Sequence, residues 1–217
     1  MSAPKLYDYP ASANCYKVRL LLAQLDLAYE RIPVDIFDGD TLTKDYARLN
    51  PRRETPVLES ADGRVFTESN AILWFLAVGS PLLSGEAGEQ AETIRWLIYE
   101  QTDVVPAIGG LRFRLVTGRL APGSTEAETR RRSGYDVLRL LDRHLSTRSF
   151  LVGERYTIAD IGVFGYAHLA SETGYNLSEF GHFCDWLVRV TSQGRFMNDL
   201  IPYPPNASLT VGRSIYG

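Results

Sequence analysis

The sequence predicts a mixed α/β unit followed by an all-helical one. Three observations carry that expectation. The chain opens in strand–helix–strand order; a short strand pair runs straight into a helix between Arg53 and Val78; and the patterning turns purely helical after a Gly-, Ser- and Pro-containing stretch at residues 80–88.

Lys5-Leu6-Tyr7-Asp8-Tyr9 reads as the first strand, ended by Pro10. Ala11 to Cys15 is a turn of small residues, after which Val18, Leu21, Leu22 and Leu25 recur at helical spacing. Tyr29 to Val34 is a second strand, Asp38-Gly39-Asp40 breaks it, and a polar, short-helical segment leads to Asn50-Pro51. Pro56 cannot donate to a strand ladder, so it belongs at the start of the strand that follows, Val57-Leu58. Asp62-Gly63 turns the chain, Val65-Phe66-Thr67 returns it, and Glu68-Ser69-Asn70 opens a helix. Parallel first strands around a crossover and a closing hairpin make the thioredoxin-like order, assigned to residues 1–79. Residues 80–88 are the expected linker and 89–217 the helical part.

In that part Ile94, Leu97, Ile98, Val104, Val105 and Ile108 fit one apolar face, with Trp96 and Tyr99 beside it, and Gly109-Gly110 loosens the helix. Pro122-Gly123-Ser124 turns into a second long helix, Glu126 to Leu145, whose Val137, Leu138, Leu141 and Leu145 face the core. Tyr156 to Ile161 carries a helix-start signature. Thr157 is the cap, Asp160 reaches back to the Thr157 N–H in a variant capping box, and Tyr156 and Ile161 hold the staple positions. Asp160 therefore reads as structural. From Pro202 onward the chain reads as irregular.

A net charge of −3 and a pI near 5.7 speak against a general nucleic-acid binder, which needs a basic surface. Arg130-Arg131-Arg132 follows Glu126 and Glu128 on one helix and reads as a solvated face. The two cysteines, Cys15 and Cys184, show no metal spacing and no Cys-x-x-Cys, so no metal is expected and both thiols are read as reduced. No basic-then-apolar leader and no membrane-length apolar run is present, and the cytoplasm is the expected compartment.

The chemistry points to the stretch around Thr55 and Ser69. A cis bond at Pro56 would leave the Thr55 backbone N–H and C=O open to an extended peptide. Ser69 opens a helix, whose unpaired N–H groups and dipole favour a carboxylate. The pairing of Thr55-Pro56-Val57-Leu58 with Glu68-Ser69-Asn70-Ala71-Ile72, together with the Tyr156–Ile161 capping string, resembles the cytosolic glutathione S-transferase family, in its bacterial, serine-type or Nu-like members.

That resemblance implies glutathione as cosubstrate, with its thiol activated for conjugation to a small hydrophobic electrophile or for reduction of disulfides or peroxides. It implies a homodimer. Ser69 would bind the γ-glutamyl carboxylate, Glu68 would sit near the γ-glutamyl amino group, and Thr55 with Pro56 would pair with the cysteinyl unit. Arg53 is a candidate for the glycine carboxylate, where Glu54 is a departure from the family pattern that Arg52, Arg53 or Lys44 must offset. The thiol's activator lies in the turn after the first strand. Ser12 stands at the family's serine position and Asn14 offers an amide N–H. Tyr7 and Tyr9 suit strand packing better, and Cys15, three residues past Ser12, reads as a buried thiol. Tyr99, Gln101, Asp103, Pro106, Arg112 and Phe113 are candidates for the electrophile's pocket. A non-catalytic glutathione- or ligand-binding module of the same fold is the alternative.

Overall fold

A computed structural model describes residues 3–208 and 212–215. Its residues fall into two compact units, one formed by Met1–Leu76 with Met197–Gly217 and the other by Ala77–Phe196. The segment after residue 196, read from sequence as the tail of the helical part, thus groups with the first unit.

The first unit holds β1 (Lys5–Asp8), α1 (Ala13–Gln24), β2 (Glu30–Pro33), α2 (Lys44–Leu49), β3 (Val57–Glu59), β4 (Val65–Thr67) and α3 (Ser69–Ala77). The sheet order is β2-β1-β3-β4, with β1 parallel to β2 and antiparallel to β3, and β3 antiparallel to β4. This is the expected thioredoxin-like arrangement. Helix α1 exposes none of its residues and is wholly buried from Cys15 to Leu22. Leu20, Leu21 and Leu22 fill the core against Leu6, Val57 and Leu58 of the sheet layer. The polar side chains of such a helix must find partners in protein, because an unpaired buried charge costs several kcal/mol.

They do so on two sides. Tyr16 donates to the Met197 carbonyl at 2.9 Å. Arg19, fully buried, donates from Nε to both Asp199 carboxylate oxygens at 2.9 Å and from Nη1 to the equally buried Asp8. Arg31 closes the same cluster from β2. Farther along the returning segment, Tyr203 packs on Tyr9 and Phe37, Asn206 donates to Asp35 at 2.8 Å, and the Arg213 N–H donates to the Phe37 carbonyl at 2.8 Å. These bonds are what assign residues beyond 196 to the first unit.

The second unit contains α4 (Ala87–Tyr99), a π-helix (Glu100–Gly109), α5 (Gly110–Val116), α6 (Thr125–Leu145), α7 (Ile158–Ala167) and α8 (Gly181–Thr191). The loosening expected at Gly109-Gly110 begins at Glu100 instead, around Pro106, which has no N–H to give an α-helical bond. The core face of α4 also differs from expectation. Ile94 and Ile98 are 45% and 56% exposed, while Thr93, Trp96, Leu97 and Glu100 are buried. That face keeps helical spacing but includes a threonine and a glutamate, so reading apolar residues alone shifted it by one position. Arg130 and Arg131 pair with Glu126 and Glu128 along α6, but Arg131 is mostly covered and also donates to the Thr173 carbonyl at 3.3 Å, so the solvated face expected of the whole run does not extend to it.

Helix α7 is buried along nearly its whole length. Its capping box is complete: Asp160 accepts from the Thr157 N–H at 2.9 Å, and Thr157 Oγ1 accepts from the Ala159 N–H at 3.2 Å. Asp160 also accepts from the Leu151 N–H at 3.0 Å and from Trp186 Nε1 at 2.9 Å, tying the preceding loop and α8 to this helix start. The α7–π-helix crossing needs a glycine: a Cβ on Gly109 would lie 2.4 Å from the Tyr166 ring. Replacing Asp160 with Ala strands several buried donors at once, and the expected loss is at least about 3 kcal/mol in urea unfolding; a loss within the range of an ordinary surface cap would contradict the role given to it.

Candidate functional site

The turn after β1 and the start of α1 are built around Ser12. Its backbone is extended, and Oγ accepts from the Cys15 N–H at 3.3 Å, the standard service of a helix N-cap. Oγ accepts there, and the hydroxyl also lies within hydrogen-bond reach of the Cys15 sulfur. Cys15 points inward. Its sulfur is fully buried, accepts from the Tyr9 N–H at 3.4 Å, and lies against the side chains of Ser12 and Thr55. Burial, with Asp8 adding to it, pushes this thiol up to about 12, so it is protonated at neutral pH and is no nucleophile. What the cysteine does is bring the Ser12 turn and the Thr55 turn onto one atom.

Thr55 precedes Pro56 through a cis peptide bond, and Val57 then enters β3. Among the described residues, neither the N–H nor the C=O of Thr55 takes part in a backbone hydrogen bond. The turn leading in is fixed by its own bonds. Asn50 Nδ2 and Tyr46 Oη donate to the Glu54 carbonyl at 2.9 and 3.0 Å, and Arg53 adopts a left-handed backbone (φ 58°) while its guanidinium donates to the Leu42 carbonyl at 2.6 Å. Arg52 pairs with Glu54 at 2.9 Å and with Glu68 at 3.4 Å, which offsets the acidic departure at Glu54.

Glu68 also has a left-handed backbone (φ 66°), a strained state for a residue with a Cβ. Its carbonyl accepts from the Ile72 N–H at 3.0 Å, so it holds the cap position of α3 and makes Ser69 the first helical residue. The Glu68 side chain is exposed and turned to Arg52. Ser69 is buried, and its hydroxyl donates to Asn14 Oδ1 at 3.2 Å. That bond orients the Asn14 amide with its oxygen toward α3 and its NH2 group away from it. The structure thus brings Ser12, Asn14, Thr55, Pro56 and Ser69 together, through the shared Cys15 sulfur and the Asn14–Ser69 bond. Arg53 and Glu68 flank them with backbone rather than with side chains.

The strand tyrosines are otherwise engaged. Tyr7 donates to Glu59 at 3.2 Å across the β1–β3 pair, and burial raises its pKa. Tyr9 is packed between Phe37 and Tyr203, and burial raises its pKa further. One residue of this site was not singled out by sequence. Lys17, in the second turn of α1, is fully buried and donates to Asn70 Oδ1 at 2.9 Å. A lysine on a leucine-rich helix reads as its solvent face; only the absence of any exposed position on α1 reverses that reading. In the second unit Gln101 donates to Glu100 at 2.7 Å, Asp103 accepts from Thr102 at 2.5 Å, and Arg112 is buried and donates to Glu172 at 2.6 Å. Among the described residues no group of His, Cys and carboxylates could hold a metal ion, and no helix is long and apolar enough to cross a membrane.

A thioredoxin-like unit with a hydroxyl-capped first helix and a buried serine opening the helix after the hairpin, joined to an all-helical unit, defines a class of two-part folds. Family models place the chain within it. Residues 11–78 match the glutathione S-transferase N-terminal domain and residues 94–194 the C-terminal domain. A glutathione S-transferase from Pseudomonas fluorescens is 39% identical, with a TM-score of 0.88 over 92% of this chain and 100% of that one. A glutathione transferase family member from the same species, solved with two glutathione bound, is 27% identical, with a TM-score of 0.79 over 89% of this chain and 90% of that one. The chain belongs to the glutathione S-transferase family. Among curated proteins it is similar to elongation factor 1-gamma of Artemia salina, 36% identical over 166 residues, and that match covers 75% of this chain and 37% of that protein. The chain therefore matches little more than a third of the length of these curated relatives.

Proposed function

We propose that the protein is a serine-type glutathione transferase, which binds glutathione in the first unit and activates its thiol for attack on a small hydrophobic electrophile or for reduction of disulfides or peroxides. The observation that carries this reading is the buried Ser69 hydroxyl joined to Asn14, which sets the first turn of α3 beside the first turn of α1. The N-terminus of α3 suits a carboxylate, and the N-terminus of α1 suits a thiolate. On this reading the γ-glutamyl carboxylate goes to Ser69, the cysteinyl backbone pairs with Thr55, and the sulfur meets Ser12 and the Asn14 NH2 group. Both uses of glutathione need the same step, in which the thiol proton leaves for solvent and the thiolate is held by donors from the protein.

Ser12 can cap the helix and donate its proton at the same time, because its oxygen is the acceptor in the first bond and its hydroxyl the donor in the second. For the glycine end Arg53 is the candidate, provided its guanidinium leaves the Leu42 carbonyl, since Arg52 is held by Glu54 and Glu68. The pocket for the electrophile belongs to Tyr99, Gln101, Asp103, Pro106 and Phe113; Arg112, held by Glu172, serves packing. A detoxifying role, the cytoplasm and a homodimer go with the family. Light scattering should give about twice 24.3 kDa, and a monomer would refute the dimer.

Similarity to proteins named elongation factor 1-gamma favours a second reading, a glutathione- or ligand-binding module without turnover. A pH–rate profile with an aryl halide separates the two. Ser12→Ala should cut conjugation at neutral pH about 10- to 100-fold, the worth of a charge-assisted hydrogen bond of about 1.5–3 kcal/mol. The deficit should shrink as pH rises and bulk deprotonation replaces activation, and Cys15→Ala should leave the rate nearly unchanged. If Ser12→Ala is silent and Asn14→Ala reproduces this profile, the amide is the activator. Wild-type protein that binds glutathione but shows no turnover supports the module.

A further inference from the structure

Lys17 is fully buried and no step above uses it. Removing an ammonium from water costs several kcal/mol, and a leucine or methionine would fill the same place in α1 without that cost. Its position explains its presence. Asn14 and Lys17 are three residues apart and share one face of α1. Ser69 and Asn70 are the first two residues of α3. Asn14 accepts from the Ser69 hydroxyl at 3.2 Å, and Lys17 donates to Asn70 Oδ1 at 2.9 Å. Two neighbouring side chains of one helix thus grip two consecutive residues at the start of another.

We propose that Lys17 is a positioning residue for the carboxylate end of the glutathione site, acting through Asn70. Holding the Asn70 oxygen against α1 fixes the first turn of α3, whose N–H groups have no partner within the helix. A carboxylate arriving there meets donors already aimed, instead of having to order them on binding. The Lys17–Asn70 bond adds a second side-chain tie to the Asn14–Ser69 bond, one residue farther along α3. This inference rests on glutathione binding as read above.

The test compares two ligands by calorimetry: S-methyl glutathione, and its analogue in which 4-aminobutanoyl replaces the γ-glutamyl group, so that only the α-carboxylate is missing. Wild type should prefer the carboxylate-bearing ligand. Lys17→Met should lower that preference about tenfold while affinity for the analogue holds. Asn70→Ala, at a half-exposed position, should give the same change in ratio and carries the test if Lys17→Met does not fold. Variants that keep the wild-type preference overturn the proposal, as does an equal loss for both ligands, which is what a general loosening of α1 against α3 would produce. If wild type binds neither ligand, the glutathione reading falls, and this inference with it.

Discussion

A helix without a solvent face is the constraint on which the first unit depends. Helix α1 is enclosed along its length, yet it carries Asn14, Tyr16, Lys17 and Arg19. Each must be satisfied by protein, and each partner so required fixes another part of the unit. Asn14 and Lys17 recruit the start of α3, and Tyr16 and Arg19 recruit Met197 and Asp199. The site and the returning segment are therefore two consequences of one burial. The gain lies less in net stability, since buried ion pairs often break even against apolar packing, than in an arrangement specific to the partners of Asn14, Tyr16, Lys17 and Arg19.

The same reasoning gives Cys15 its place. A buried sulfur with a pKa near 12 does no chemistry of its own, but it is small and polarizable, and the Ser12 and Thr55 turns close over it. Around it the strained backbone is confined to the approaches, at Arg53 and Glu68. Strain of this kind persists where the surroundings over-determine it, and here Asn50, Tyr46 and Arg52 do so.

The parts legible in the sequence are those set by local chemistry. Pro56 at a strand start, Ser12 and Thr157 as caps, and Asp160 three residues past its cap all follow from rules that span a few residues. The parallel first strands and the closing hairpin followed from element order. The parts that escaped depend on distance. Arg19 and Asp199 are 180 positions apart, and nothing local pairs them. Lys17 carries no signal in the sequence, and its bond to Asn70 follows only once α1 is seen to have no exposed position. Thr93 of α4 and Glu100, the first residue of the π-helix, are buried while Ile94 and Ile98 are not; the Thr93 hydroxyl is satisfied by the Glu89 carbonyl of its own helix and Glu100 by Gln101, so polarity alone was a poor guide to the core face.

The central claim is that the first turns of α1 and α3 and the backbone of Thr55 form one glutathione site. Amide resonances followed by two-dimensional NMR during a glutathione titration test it most directly. Saturable shifts are expected at Thr55, Ser69, Asn70 and Cys15, with the Asp62-Gly63 hairpin tip unmoved. Binding that shifts the hairpin or the helical unit and leaves Thr55 and Ser69 in place would contradict it.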